Sequence, residues 1–391
     1  MTNNPNLDDL ENERAQGGLS AGTVSETESF DEAHGRGEGV GESQEVAGLS
    51  QGTIVFRRFI RHAGALFGMI TIALIALLSL ITMGIGPIPG LWWEQDPQNP
   101  HTPQNGGAPT LHLPRWLGGE GFMIGQYPFG QDTIGRDNFA NVMLGIQTSL
   151  IVMVVLSVVV LIVGTTIGAL AGYYRGWVDN VLMRLTDLVI TLPVIVLGAV
   201  LGRLITVLPT KWGWSDQTKG MLDRWMPVEL AIALGLILWT GLARLVRSEF
   251  LSLREREFVD SARVAGASDF RIITKHILPN TMGVIIVNVS LLMAASVVLE
   301  TALSFLGFGI SYPSVSLGQL ISQNQTAFDT RPWLFWWPGV FIVLVALSVN
   351  FIGDGLRDAF DPRTKKVPSQ RQMDKAAAKA ASAQTSKEAS K

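Results

Sequence analysis

Long apolar runs punctuate this chain near residues 63–85, 148–171, 185–208, 228–246, 282–306 and 333–352. Each approaches the ~20 residues that a helix needs to cross a hydrocarbon core. The pattern predicts an all-α membrane protein with six transmembrane helices. The third run contains Pro193 and carries Arg203 near one end. Neighbouring helices can tolerate such a proline, and such an arginine can reach the interface. The polar stretch between runs four and five, 253–280, reads LREREFVDSARVAGASDFRIITKHILPN and keeps helical periodicity. Ser252 with Glu255 matches a capping box, so a helix is expected to start there. Phe258, Ala262 and Ala265 share one face of it, with Glu257, Asp260 and Arg263 elsewhere. Gly266 stops this helix, Ser268 caps a second one bearing Phe270, Ile273 and Ile277, and Pro279 halts that one. The small residues Ala265, Gly266 and Ala267 leave room for a partner's backbone. Two readings stay open on these residues alone: a knuckle for a groove on a cytoplasmic protein, or an amphipathic helix lying on anionic lipid.

Charge placement gives an orientation. Arg57, Arg58 and Arg61 precede run one, and Arg175 and Arg184 bracket the link between runs two and three. Arg244, Arg247, Arg254, Arg256, Arg263, Arg271 and Lys275 fall between runs four and five; Arg357, Arg363, Lys365 and Lys366 follow run six. With six spans all these groups share one side, which the positive-inside rule makes cytoplasmic, and both termini lie there. The opposite loops are poorer, with Arg115, Arg136 and Arg331, although Lys211, Lys219 and Arg224 stand beside Asp216 and Asp223. Trp92, Trp93, Trp333, Trp336 and Trp337 fit an interfacial aromatic belt. Region 87–147, rich in Pro, Gly and Asn, is expected to hold short helices or irregular structure on the outer face.

Composition agrees with a bilayer-embedded body: 16% of residues are charged against 47% hydrophobic, and the mean hydropathy is +0.29. Residues 1–52 are acidic and poor in large apolar side chains, which predicts a disordered cytoplasmic tail. The expected order is then an N-terminal span within 53–86, the external region, a five-span core over 148–362 and a soluble tail over 363–391. The acidic start does not look like a cleavable signal, so insertion is expected to rely on an internal span. The absence of cysteine excludes disulfides and thiolate metal sites. No Gly-Lys pair occurs, so a phosphate-binding GxxxxGK[ST] loop is absent and this chain is not expected to hydrolyse nucleotide. His34, His62, His101, His112 and His276 are scattered, which argues against metal or nucleophilic chemistry; His276 is expected to help the loop pack or to accept a hydrogen bond. Nothing in the pattern points to nucleic acid. Glu300 lies inside run five, where an isolated charge costs about 3 kcal/mol. It either lines a pathway or is a buried partner to a neighbouring helix. Asn288 and Asn350 are weaker pathway candidates, because amides commonly bond helices together. Asp354 and Asp358 are expected to be solvated or paired with Arg357, and Gly307 and Gly309 to mark an external turn.

The 253–280 segment resembles the EAA loop of ABC-importer permeases. Asp260-Ser261-Ala262 stands where that loop carries Glu-Ala-Ala, followed by Gly266 and by Leu278-Pro279. Around it, residues 243–280 are similar to the dipeptide/oligopeptide permease subfamily throughout. So are GQDTIGRDNF at 130–139, AGYYRGWVDNVLMRLTDLVITLP at 171–193, ETALSFLGFGI at 300–310 and NFIGDGLRDAFDPR at 350–363. Departures are Gln147 in place of a frequent arginine, Ala140-Asn141 in place of Ser-Arg, and a longer 211–225 stretch. The resemblance implies a type I (MetI-like) importer permease fold with a cytoplasmic coupling helix. It implies as partners a second permease subunit forming a heterodimer, two ABC ATPase subunits, an extracytoplasmic binding protein and membrane lipid. ATP and magnesium would sit on the ATPase subunits and no cofactor on this chain. Glu257, Asp260, Ser261, Ala262, Ala265, Gly266, Ala267, Ser268, His276 and Pro279 would form the coupling loop. The substrate would be a di- or oligopeptide, with nickel or another small solute as the alternative, and an ion-coupled carrier acting alone as the reading from another class.

Overall fold

The computed structural model describes residues 51–85, 88–91, 93, 97, 99–112 and 123–361. The acidic segment before residue 51, the tail after 361, His34, Trp92, Arg115, Arg363, Lys365 and Lys366 lie outside the described residues. Helix α1 (Gln51–Arg61), which no apolar run announces, precedes α2 (Ala63–Met83). His62 joins them. Its Nδ1 accepts from the Ala65 amide at 3.1 Å, and its Nε2 lies 3.3 Å from the half-exposed carboxylate of Asp358.

Two short antiparallel ribbons follow: β1 (Gly84–Ile85) with β2 (Ile88–Pro89), and β3 (Leu111–His112) with β4 (Met123–Ile124). The expected irregular region ends ten residues early, because α3 (Asn138–Tyr174) starts well before the apolar run at 148. The start is set by Asp137, whose carboxylate accepts from the amides of Phe139 at 3.0 Å and Ala140 at 3.3 Å. A cap, rather than a rise in hydropathy, decides where this helix begins.

The third run is not one span. Helix α4 (Gly176–Ile190) stops before Pro193, and α5 (Val194–Lys211) starts after it. Proline offers no amide hydrogen, clashes with the carbonyl one turn back and pushes its predecessor out of the helical region. The Val189 carbonyl instead accepts from the Leu192 amide at 3.2 Å, which closes α4 before the proline. Helix α6 (Asp216–Leu253) leads into the polar loop, which contains α7 (Glu257–Val264), α8 (Asp269–Arg271) and a π-turn at Ile272–Ile277. Then come α9 (Leu278–Phe305), α10 (Leu317–Asn324) and α11 (Trp333–Phe360), with Gly307 turning the chain after α9 at φ +79°. Six helices among the described residues are long and apolar enough to cross a membrane: α2, α3, α5, α6 from Asp223, α9 with the turns before it, and α11.

Helices α3 and α6 form the central pair. Gly168 of α3 lies so close to the Ala243 carbonyl and to Val246 that an added Cβ could not be placed without moving backbone. Close approach of this kind supplies van der Waals contact where lipid provides no hydrophobic drive. One buried cluster (Leu156, Val160, Leu234, Val246, Phe250) fills this seam and continues under the loop through Val259, Ile272 and Ile277. A second cluster lies toward the opposite end, where Phe129 stacks on Trp337 with ring centroids 3.9 Å apart and meets Phe139 edge-on at 4.9 Å. The molecule thus has a loop end, with Tyr173, His62 and the 253–280 segment, and a far end, with Asp137, Trp93 and α10.

Candidate functional site

The loop is built on a tight turn. Helix α7 closes with the Gly266 amide donating to the Arg263 carbonyl and the Ala267 amide donating to the Ala262 carbonyl, each at 3.0 Å. This paired arrangement needs a left-handed residue at its corner, and Gly266 supplies it at φ +79°. A Cβ built at Gly266 would meet nothing within 4 Å, so the corner faces open space. The expected helix start at Ser252 is not realised. Helix α6 runs through Ser252 to Leu253, α7 begins at Glu257, and Glu255 instead bonds Arg175 at 2.5 Å. Burial against the seam extends α6 past a local cap signal. Ser268 does stand at the start of α8, but its side chain makes no capping bond.

Each expected face of the loop is only partly realised. Val259, Ile272 and Ile277 are buried, with Ala262, Ala267 and Ile273 packed against the same cluster. Phe258 is exposed, and Phe270 is 76% exposed. Val264, which the sequence did not single out, is 90% exposed. The corner therefore presents two large apolar side chains, Val264 and Phe270, beside open Gly266 and exposed Ala265. Glu257, Asp260, Ser261 and Ser268 form the polar surround: Ser261 Oγ donates to the Glu257 carbonyl at 2.9 Å, and Arg263 pairs with Asp260 at 3.1 Å. His276 is half-buried, and its carbonyl accepts from Asn280 at 2.6 Å; Pro279 opens α9.

Polar links tie this loop to the helices. The Tyr173 hydroxyl donates to Asp269 Oδ1 at 2.6 Å, and Arg254 donates to the Tyr173 carbonyl. Arg247 grips Asp179 of α4 through two bonds at 2.5 and 2.6 Å, and Arg244 reaches Asp187 at 2.5 Å. The arginines that suggested orientation therefore also hold α4 against α6.

The three pathway candidates are not brought together. Glu300 is fully buried, and its carboxylate accepts from Ser149 at 3.0 Å and Ser304 at 2.7 Å. A pathway shared with another subunit would be lined by surface that this chain leaves open, so Glu300 fits the buried-partner reading. Ser304 Oγ in turn accepts from the Ile310 amide at 3.1 Å, tying α9 to the segment beyond it. Asn288 is exposed, bonded to the Val284 carbonyl, and lines a groove of about 980 Å³ between α1, α9 and the end of α11. Asn350 is exposed on α11 and bonded to the Ala346 carbonyl. Two departures from the family pattern have structural work: Gln147 donates to the Ser79 and Gly84 carbonyls at 3.1 and 2.9 Å, and Asn141 to Pro97 and Asp137 at 3.1 and 2.8 Å.

Comparison with known proteins places this geometry. Residues 164–366 match the family described as binding-protein-dependent transport system inner membrane component, and residues 50–107 match the N-terminal TM domain of oligopeptide transport permease C. The oligopeptide transport system permease protein OppC of Mycobacterium tuberculosis is 33% identical over 318 residues, covering 81% of this chain and 97% of that protein. OppC of Haemophilus influenzae is 32% identical over 328 residues, covering 83% of this chain and 92% of that protein. Among solved structures, an inward-facing MetNI methionine ABC transporter chain aligns with a TM-score of 0.41 at 17% identity, covering 56% of this chain and 95% of that chain. With its six apolar helices, its matched core and relatives of nearly equal extent, the chain belongs to the binding-protein-dependent transport system inner membrane component family.

Proposed function

We propose that this chain is a pore-forming permease subunit of an ATP-driven importer that admits oligopeptides across the cytoplasmic membrane. The observation that carries the reading is the loop corner: Val264 and Phe270 stand in solvent on either side of a glycine with no neighbour above it. Water does not favour that arrangement, whereas a groove on an ATPase subunit would bury both side chains. The basic residues of the loop and Arg57, Arg58 and Arg61 of α1 support a cytoplasmic position for this end, with both termini on the same side. A second permease subunit of different sequence completes the pore, and two ATPase subunits carrying ATP and magnesium engage the loops. An external binding protein delivers the peptide at the far end. ATP-driven closure of the ATPase pair moves the loops and shifts the helices between two states. The names of the relatives favour peptide over nickel or another small solute. An ion-coupled carrier would need an intramembrane relay, and Glu300, its candidate, is enclosed among serines away from open surface.

Gly266→Arg tests the reading. It places bulk on the docking corner and forces a left-handed backbone on a residue with a side chain. Uptake of peptide by cells is expected to fall at least about tenfold, on the order of a lost interface hot spot, with membrane insertion unchanged. Wild-type uptake by this variant overturns the proposal.

A further inference from the structure

Tyr173 is the penultimate residue of α3, and it reaches three separate parts of the loop. Its hydroxyl donates to Asp269 Oδ1 at 2.6 Å, on the first residue of α8. The charge of Arg263 in α7 also acts on this hydroxyl. Arg254, at the root of the loop, donates to the Tyr173 carbonyl and holds its guanidinium 5.7 Å from the centre of the Tyr173 ring. The ring itself is 5% exposed, fixed edge-on against Tyr174 with centroids 5.2 Å apart. One residue earlier, Gly172 lets α3 press against Phe250 and the Arg247 backbone.

We infer that Tyr173 is the positioning residue through which movement of the docking loop is passed to α3; this rests on the import reading above. The loop's other attachments do not fix a direction. Arg175–Glu255 is solvent-exposed on both sides and contributes little. The apolar contacts under Val259 and Ile272 are non-directional and permit sliding. A phenol bonded to α8, with Arg254 held on its backbone and near its ring, resists sliding in either sense. From Tyr173, α3 runs as one rigid helix to Ser149, roughly 36 Å away at 1.5 Å per residue. There Ser149 donates to Glu300 of α9. The loop is thereby linked to the far end of the bundle through a single helix with a specific polar contact at each end.

The test uses the whole complex in lipid vesicles with its ATPase subunits and its binding protein, measuring peptide taken up per ATP hydrolysed. For Tyr173→Phe, basal hydrolysis is expected to stay within about twofold while uptake per ATP falls about tenfold. Asp269→Ala is expected to match it, and the double variant to lose no more than either single one. Asp269→Asn keeps an acceptor and is expected to retain more than half of the wild-type ratio. A wild-type ratio in Tyr173→Phe overturns the inference, as does equal loss of uptake and hydrolysis with the complex dissociated. Should the wild-type complex hydrolyse ATP yet move no peptide, the import reading fails. Stimulation of hydrolysis by the binding protein then decides the Tyr173 link: its loss in Tyr173→Phe supports the link, and its retention overturns it.

Discussion

The two ends of α3 are fastened in different ways. At the far end the fastening is buried: Asp137 caps the helix while accepting from Trp93 Nε1 at 2.6 Å, aromatic rings stack around Phe139, and Ser149 bonds an enclosed Glu300. At the loop end α3 is held through Tyr173, bonded to Asp269 and Arg254, next to the charged pairs Arg247–Asp179 and Arg244–Asp187 that join α4 to α6 nearer the surface. Buried polar groups are costly to leave unpaired, so the far end is a lock that contributes stability. Surface pairs contribute little stability but set relative placement. Under the proposed function, the difference suits a molecule that holds its far half together while its loop half receives motion.

The largest break in this contrast comes at Glu300. Glu300→Ala removes the shared acceptor of Ser149 and Ser304 and leaves a void, with an expected loss of about 3 kcal/mol. Chemical unfolding of the purified subunit in detergent measures it; a loss below about 0.5 kcal/mol would erase the distinction between the ends.

Asp137 gives an intermediate, pH-dependent effect. Burial pushes its carboxyl up to about 6 from 3.8, against hydrogen bonds from Trp93 and from the amides of Phe139 and Ala140 that lower it. The folded state therefore holds this proton more tightly than the unfolded one. Its stabilising share is complete below about pH 4 and disappears as pH rises through about 6. Melting temperatures taken between pH 7.5 and pH 5 should rise on acidification, by the equivalent of about 1.4 kcal/mol. Asp137→Asn keeps a cap and should flatten that slope; an unchanged slope would assign the effect to another group.

The smallest effect belongs to the loop end. Arg244 and Asp187 are both about half exposed, so Arg244→Ala should change stability by less than about 0.5 kcal/mol. A loss approaching that at Glu300 would show that both ends are locks.

Much of this arrangement is legible along the chain, because spans and turns are local. Hydropathy places the long helices, and Gly266 announces its corner through the small residues around it. Where the sequence misleads, a non-local term decides. Pro193 breaks a run whose hydropathy is continuous, since it has no amide to donate and its ring cannot continue the helix. Ser252 loses its capping role because α6 continues to bury Phe250 against α3. Phe258 and Phe270 share a helical period with Ala262 and Ile277, yet face outward, because the turn at Gly266 reorients the two short helices independently. Helix α1 is too short and too charged to register as a span. The bond between Tyr173 and Asp269 spans 96 positions and leaves no periodic trace in the sequence.

That the loop is driven from the cytoplasm by ATPase subunits is tested most directly by one cysteine. The chain has none, so Ala265→Cys creates a single thiol beside the corner. In intact cells an impermeant thiol reagent should leave it unlabelled until the membrane is opened, and a short cross-linker should join it to an ATPase subunit. Labelling from outside intact cells, with no such cross-link, would contradict the account.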